Sequence, residues 1–78
     1  MKDHVLDVLG VKCPLPVLRA RKRMADLSSG ETMQILATDP AVREDFMAYC
    51  EATGHQFLGH RVTHQGTEDI HEIHLRKT

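Results

Sequence analysis

Hydrophobic residues recur with strand or helix spacing along most of the chain, and the spacing predicts six elements. The pattern over residues 5–9 predicts a short strand that Gly10 closes. From Pro14 onward, apolar residues recur every three or four positions, which predicts a helix that ends at the Ser28–Gly30 segment. The inner face of this helix is predicted to consist of Val17, Ala20, Met24 and Leu27.

The second half of the chain repeats the order of strand and helix and then changes to two strands. Residues 31–38 predict a second strand, after which Asp39 and Pro40 suit the start of a second helix. The inner face of that helix is predicted to consist of Val42, Phe46, Tyr49, Cys50 and Thr53. Two further strands, about 56–64 and 69–77, flank Gly66 and predict a hairpin.

The predicted order is therefore strand-helix-strand-helix-strand-strand. Two strand-helix units favour parallel pairing through right-handed crossovers, and the hairpin adds an antiparallel pair. The predicted fold is an α/β two-layer sandwich, a mixed four-stranded sheet with two helices on one face. A chain of 78 residues has room for one core, so residues 1–78 are predicted to form a single domain.

Charge is unevenly distributed although the net charge is only -1. Between positions 12 and 23 the charged residues are all basic: Lys12, Arg19, Arg21, Lys22 and Arg23. A basic patch is therefore expected beside Cys13 in a slightly acidic protein. The low net charge and the few aromatic residues argue against direct binding of nucleic acid.

No segment of the sequence is typical of a signal peptide or a membrane span. The apolar stretch near the N-terminus is short and contains an acidic residue. Cys13 and Cys50 are too few and too far apart for a disulfide scaffold or a zinc knuckle. We therefore expect a cytoplasmic protein with reduced thiols that does not bind membranes. No feature of the sequence requires an oligomer, so a monomer is expected.

The Cys13-Pro14-Leu15-Pro16 turn is the strongest chemical signal in the sequence. With Pro14 at the first helical position, Cys13 is predicted to be the N-cap of the first helix. The helix N-terminus and the basic residues beside it favour a thiolate, so we expect a modestly lowered pKa for Cys13. A thioredoxin-like dithiol would need a second cysteine where Pro16 stands.

Such a rigid turn fixes the sulfur at the surface without a closed pocket, which suits a carrier that inserts its sulfur into the active sites of other proteins. From the residues alone the interpretation ends at a reactive surface thiol. A helix cap with prolines that only mark the start of the helix is the structural alternative.

Cys50 and the six histidines are expected to have structural roles. Cys50 falls on the apolar face of the second helix, which predicts a core position. His60 and His64 could converge on one face of a strand, whereas His71 and His74 should point to opposite faces. No cysteine joins them in a usual ligand pattern, so no metal and no cofactor are predicted.

The motifs together resemble those of the TusA-like (SirA-like) family of small sulfur-carrier proteins, over nearly the whole chain. The residues that carry the resemblance are Leu6-Asp7, Leu9-Gly10, Cys13-Pro14-Leu15-Pro16-Val17, Arg21-Lys22, Gly30-Glu31, Ala37-Thr38-Asp39-Pro40-Ala41, Asp45, Cys50 and Arg76-Lys77. The resemblance implies the same two-layer α/β fold and a covalent persulfide on Cys13. It also implies a cysteine desulfurase or a rhodanese-like protein as sulfur donor. A downstream sulfur-relay protein would feed 2-thiouridine formation in tRNA, or sulfur trafficking and oxidation.

A basic helix face beside the persulfide would attract acidic partner surfaces. The residues predicted to dock partners are Lys12, Pro14, Pro16, Arg19, Arg21, Lys22, Arg23 and Asp39. For Asp39 a plain helix cap is the competing interpretation. The competing function is a regulatory interaction module in which Cys13 is only structural. Whether a carrier that is consumed and recharged in each cycle counts as an enzyme is a matter of convention.

Overall fold

The structure, a computed structural model that describes residues 4–78, contains the six elements in the predicted order. They are β1 (His4–Val8), α1 (Leu15–Met24), β2 (Thr32–Ala37), α2 (Val42–Thr53), β3 (Gln56–Gln65) and β4 (Glu68–Arg76). The sheet has four strands in the order β1-β2-β4-β3. β1 and β2 are parallel, and β4 is antiparallel to both of its neighbours. The mixed sheet is confirmed; residues 1–3 of the predicted domain lie outside the described residues.

Both helices cover the same face of the sheet. Alternate residues of β2 are buried, namely Met33, Ile35 and Ala37, while the residues between them remain partly exposed. In the antiparallel register these three positions lie opposite Leu75, Ile73 and His71 of β4, which are buried as well. Because side chains alternate between the faces of a strand, the buried set defines one core face. The helices complete this core with Pro16, Ala20, Met24, Val42, Phe46, Tyr49 and Cys50.

Helix α1 is shorter than the sequence pattern predicts. It begins at Leu15 and ends at Met24, and Leu27 is buried in the turn that follows. The ammonium group of Lys77 donates hydrogen bonds to the carbonyl oxygens of Met24 at 2.8 Å and Leu27 at 2.6 Å. The last carbonyls of a helix lack partners within the helix, so Lys77 stabilises this end from the other terminus of the chain.

Replacing Lys77 with methionine should reduce the free energy of unfolding by about 1–3 kcal/mol, because two carbonyls lose a charged donor. Methionine retains most of the apolar stem, so packing is largely kept. Urea denaturation measures the difference. The control is Lys22→Met on the exposed surface of α1, which should change stability by no more than about 0.5 kcal/mol. Equal losses in the two variants would contradict a capping role for Lys77.

The inner face of α2 agrees with the prediction except at its last position. Thr53 is exposed, and its hydroxyl group donates to the carbonyl oxygen of Tyr49 at 2.8 Å. The helix ends at Gly54, which has a positive φ of 83° and donates its N–H to the carbonyl of Cys50 at 2.8 Å. A left-handed residue in this position favours glycine. Within residues 4–78, neither helix has the length and apolar composition needed to cross a membrane.

Candidate functional site

Two loops meet at the edge of the sheet where the parallel strands β1 and β2 end. The loop of residues 9–14 follows β1, and the loop of residues 38–41 follows β2. The N–H of Gly10 donates to the Thr38 hydroxyl oxygen at 2.9 Å, and the N–H of Cys13 donates to Asp39 Oδ2 at 2.7 Å. The cysteine loop is therefore attached to the second strand-helix unit by side-chain acceptors.

Asp39 is the residue that joins the two loops. Its Oδ1 accepts the N–H of Ala41 at 3.0 Å, while its Oδ2 holds the backbone of Cys13. The hydrogen bonds from Ala41 and Cys13, assisted by the charge of Lys12, lower the pKa of Asp39. The carboxylate is thus ionised at neutral pH and positions the cysteine backbone. The prediction that Asp39 caps α2 is wrong, because the N-cap is Ala41 and the helix begins at Val42. The use of Asp39 in docking stays a prediction.

A cleft of about 260 Å³ opens between the two loops. Its lining consists of Gly10, Val11, Lys12, Thr38, Asp39 and Pro40. Cys13 is exposed and does not line this cleft. The thiol therefore stands at the surface, outside a closed cavity, as the sequence predicts.

Cys13 is not the N-cap of α1, so that prediction is wrong. The N-cap is Pro14, which follows a cis peptide bond, and the first helical residue is Leu15. The N–H of Leu15 donates to the carbonyl of Lys12 at 3.0 Å, which forms a separate turn ahead of the helix. Because that donor is occupied and both prolines lack an N–H, the helix end offers the sulfur few hydrogen bonds.

The predicted direction of the Cys13 pKa shift is also wrong. A hydrogen bond with the Asp45 side chain, together with desolvation and the charges of Asp45 and Asp39, raises the pKa of Cys13. Negative charge near a thiol disfavours the thiolate. The basic residues of α1 do not reverse this effect, since Arg21 and Lys22 lie in the last turn of the helix. The Cys13 thiol is therefore protonated at neutral pH.

Replacing Asp45 with asparagine should lower the pKa of Cys13, because a neutral amide no longer repels the thiolate. Since only the thiolate reacts with iodoacetamide, alkylation of the variant should reach half its maximal rate at a lower pH than in the wild type. The pH profile of alkylation, followed by mass spectrometry, measures this shift. Glu44→Gln, next to it on the exposed surface of α2, should leave the profile unchanged. Identical profiles for the Asp45 variant and the wild type would contradict the assignment.

The residues predicted to dock partners are exposed with two exceptions. Lys12, Pro14, Arg19, Arg21, Lys22 and Arg23 are exposed, and Asp39 is half-buried. Pro16 is buried in the core, so it offers no surface to a partner and that part of the prediction is wrong. Its ring lies on the inner side of the first turn of α1, in phase with Ala20 one turn later.

Two exposed leucines on α1 extend the candidate docking surface, and sequence reasoning missed them. Leu15 and Leu18 are 48% and 52% exposed. Leu15 lies one turn from Arg19, and Leu18 lies one turn from Lys22, so apolar and basic side chains share this surface. Because Leu15 and Leu18 do not fall on the predicted inner face of α1, the helical spacing of the sequence could have indicated that they are exposed. Asp45 was also missed as a partner of Cys13, because only the fold brings it near.

Cys50 is in the core, as predicted. It is 5% exposed, and burial raises the pKa of its thiol. Cys13 is therefore the accessible cysteine of the two, and both are free thiols.

The histidines pair across the hairpin in a way that differs from the prediction. His60 Nε2 lies 2.9 Å from His71 Nδ1, whereas His64 is hydrogen-bonded to Asp69. His60 and His64 therefore do not converge. The antiparallel register is the reason, since it places His71 on the core face beside His60. Within residues 4–78, no cluster of three or more metal-ligating side chains is present.

Known proteins are similar to this chain in sequence and in fold. The family model described as Sulfurtransferase TusA matches residues 4–77. Sulfur carrier protein TusA of Allochromatium vinosum is 43% identical over 56 residues, which cover 72% of this chain and 74% of that protein. A Neisseria meningitidis serogroup B protein, provisionally named a sulfur carrier, is 48% identical over 58 residues, or 74% of this chain and 78% of its own.

The fold agrees with these matches. The crystal structure of the SirA-like protein from Desulfitobacterium hafniense superimposes with a TM-score of 0.71 and 26% sequence identity, and the match covers 96% of each chain. The resemblance inferred from the motifs is therefore confirmed. The chain belongs to the TusA family of sulfur carrier proteins.

Proposed function

We propose that this carrier accepts sulfane sulfur as a persulfide on Cys13 and passes it to an acceptor protein. The observation that carries the proposal is the placement of Cys13, an exposed thiol whose backbone is fixed by Asp39 at the edge of the sheet. A sulfur in this position can enter the active site of another protein. The buried Cys50 offers no comparable access.

Loading would proceed by thiol attack on the persulfide of a donor. The Cys13 sulfur attacks the outer sulfur of the donor persulfide, the sulfur–sulfur bond of the donor breaks, and the donor cysteine leaves with the electron pair. The Asp45 carboxylate, which shares a hydrogen bond with the thiol, is placed to receive the Cys13 proton. That proton then returns to the departing thiolate. No oxidant or reductant is consumed.

Unloading would be the same exchange reaction, with Cys13 now as the leaving group. A thiolate of the acceptor attacks the outer sulfur on Cys13, and Cys13 leaves as the thiolate, which takes up a proton. The chain itself is regenerated for another cycle. A downstream relay protein that serves 2-thiouridine formation in tRNA is the proposed acceptor, with sulfur trafficking or oxidation as the other destination of the same chemistry.

The exposed surface of α1 supplies the proposed docking contacts. Arg19 and Lys22 provide positive charge for an acidic partner, and Leu15 and Leu18 provide apolar contact. A cysteine desulfurase or a rhodanese-like protein is the proposed donor class. The carrier itself is proposed to act as a monomer in the cytoplasm, without direct contact to nucleic acid.

Intact-mass spectrometry tests the proposal. The protein is incubated with a cysteine desulfurase and cysteine, or with a rhodanese and thiosulfate. Wild type and Cys50→Ser should each gain one sulfur atom that dithiothreitol removes. Failure of both donors to load the wild type would contradict the carrier proposal and favour an interaction module, which would bind its partner without sulfur transfer.

A further inference from the structure

The rings of His60 and His71 meet edge to edge in one plane. Their planes differ by 2°, and the ring centroids are 5.2 Å apart, while His60 Nε2 and His71 Nδ1 are 2.9 Å apart. The two nitrogens therefore point at each other, and one of them donates a hydrogen bond that the other accepts. Neither ring takes part in the proposed chemistry of Cys13.

The fold holds the two rings on neighbouring strands. His71 lies on the inner strand β4, opposite Ala37 of β2, and is 9% exposed. His60 is half-buried on the edge strand β3, two residues before Val62, which stands opposite His71. The contact between the imidazoles is thus a side-chain link between the edge strand and an inner strand that carries part of the core.

Such a pair can hold one additional proton but not two. In the neutral state one ring donates and the other accepts, and a single added proton keeps this hydrogen bond with a charged donor, which strengthens it. A second added proton places an N–H on both of the facing nitrogens. No acceptor is then left between the rings, and two positive charges stand within hydrogen-bonding distance of each other. The doubly protonated rings therefore have to separate.

We propose that the His60–His71 pair is a pH-sensitive clasp between β3 and β4, closed while the pair carries at most one added proton and opened when both rings are protonated. Opening removes the hydrogen bond and loosens β3 at the edge of the sheet. In the unfolded chain the two histidines are independent, and each protonates near the ordinary pKa of about 6.5. Below that pH the folded chain binds fewer protons than the unfolded chain, so the folded state loses stability as the pH falls.

Charged groups from the neighbouring elements act on the pair in opposite directions. Burial, the charge of His71 and the guanidinium group of Arg43 on α2 lower the pKa of His60. The Asp39 carboxylate, in the loop after β2, interacts favourably with a positive charge on His71. This arrangement assigns the first added proton to His71 and opposes the second, at His60.

The hairpin adds acidic groups near the pair. Glu68 and Asp69, at the start of β4, line a cavity of about 380 Å³ together with His71. Asp69 is hydrogen-bonded to His64 at the exposed end of the hairpin, and Glu68 is exposed, so water screens its charge. These carboxylates stabilise one positive charge near the cavity. They do not supply an acceptor between the two facing nitrogens, so they do not keep the clasp closed when both rings are protonated.

A pH titration of the imidazole nitrogens by residue-resolved NMR tests the clasp. The signals of His60 and His71 should each change in two steps, because the two rings titrate as one unit. Hydrogen exchange of the β3 amides should accelerate with the second step, at the lower pH. His74, on the opposite face of β4, should change in a single step.

His60→Gln is the decisive variant. The uncharged amide can accept a hydrogen bond from a protonated His71, so the variant has no doubly charged state. Below a pH of about 6.5, the ratio of folded to unfolded protein should fall up to about tenfold more per pH unit in the wild type than in His60→Gln, which corresponds to one proton. Urea denaturation at several pH values measures both slopes. His74→Gln is the control and should keep the slope of the wild type.

Parallel losses of stability in wild type and His60→Gln as the pH falls would overturn the proposal. Single-step titration of both His60 and His71, as for isolated histidines, would overturn it as well. His71→Gln is a second variant without the doubly charged state, and its slope should also be shallower than that of the wild type. Backbone spectra show whether each variant is folded. If the variant at the buried His71 unfolds, His60→Gln decides, because His60 is only half-buried.

Discussion

Replacing Cys13 with serine is expected to abolish sulfur loading while the protein remains folded. A serine hydroxyl cannot form a persulfide, and the buried Cys50 is not available to substitute for it. The side chain of Cys13 is exposed, and serine keeps the backbone N–H that binds Asp39. The free energy of unfolding should therefore change by no more than about 0.5 kcal/mol. Intact mass after incubation with the donor measures loading, and thermal unfolding checks the fold.

Cys50→Ser is the matched control for that experiment. It should load one sulfur, whereas Cys13→Ser should load none and should transfer none to an acceptor. A folded Cys13→Ser protein that still gains transferable sulfur would contradict the proposed chemistry. Retained binding to the donor by Cys13→Ser is compatible with the proposal, because the docking surface of α1 is unchanged.

Replacing Phe46 with alanine should have the largest effect on stability. Phe46 is fully buried on α2, and its ring packs edge-on against Tyr49 with centroids 6.3 Å apart. Removing a buried phenylalanine side chain costs about 3–5 kcal/mol. Domains of this size have a total stability of roughly 4–12 kcal/mol, so the variant should lose a quarter of its stability or more. Urea denaturation measures the loss.

The neighbouring Met47 provides the comparison. Its side chain is 44% exposed, and Met47→Ala should cost no more than about 0.5 kcal/mol. Similar losses in both variants would show that Phe46 does not anchor the core. The Phe46 variant should also lose sulfur loading at temperatures where it is unfolded, because the proposed docking surface of α1 is then no longer formed.

The order of the elements was predictable because each strand and helix has one buried face, and the residues on that face recur in the sequence with the period of the element. Alternation along β2 and the three- and four-residue spacing of α2 follow from one covered face of a two-layer fold. The ends of α1 were less predictable. Its start depends on the turn closed between Lys12 and Leu15, and its end on a lysine from the last residues of the chain.

The position of the site was predictable, whereas its electrostatics were not. The Cys13 turn is a local motif, so its residues identify it. The sequence neighbours of Cys13 are basic, but the fold places Asp39 and Asp45 from a different strand-helix unit beside the thiol. Charges close in space outweigh charges close in sequence. The same limit explains the His60–His71 pair, which depends on the register of the hairpin.

Because the Cys13 N–H is hydrogen-bonded to Asp39, the Cys13–Pro16 turn does not keep its properties outside the folded domain. A short peptide with the same cysteine and prolines would lack both carboxylates. Its thiol should therefore titrate as an ordinary cysteine and react readily with any available electrophile. In the folded chain, the segment that carries Asp39 and Asp45 lowers the reactivity of the Cys13 thiol. The low reactivity of the carrier without bound sulfur is therefore a property of the whole domain.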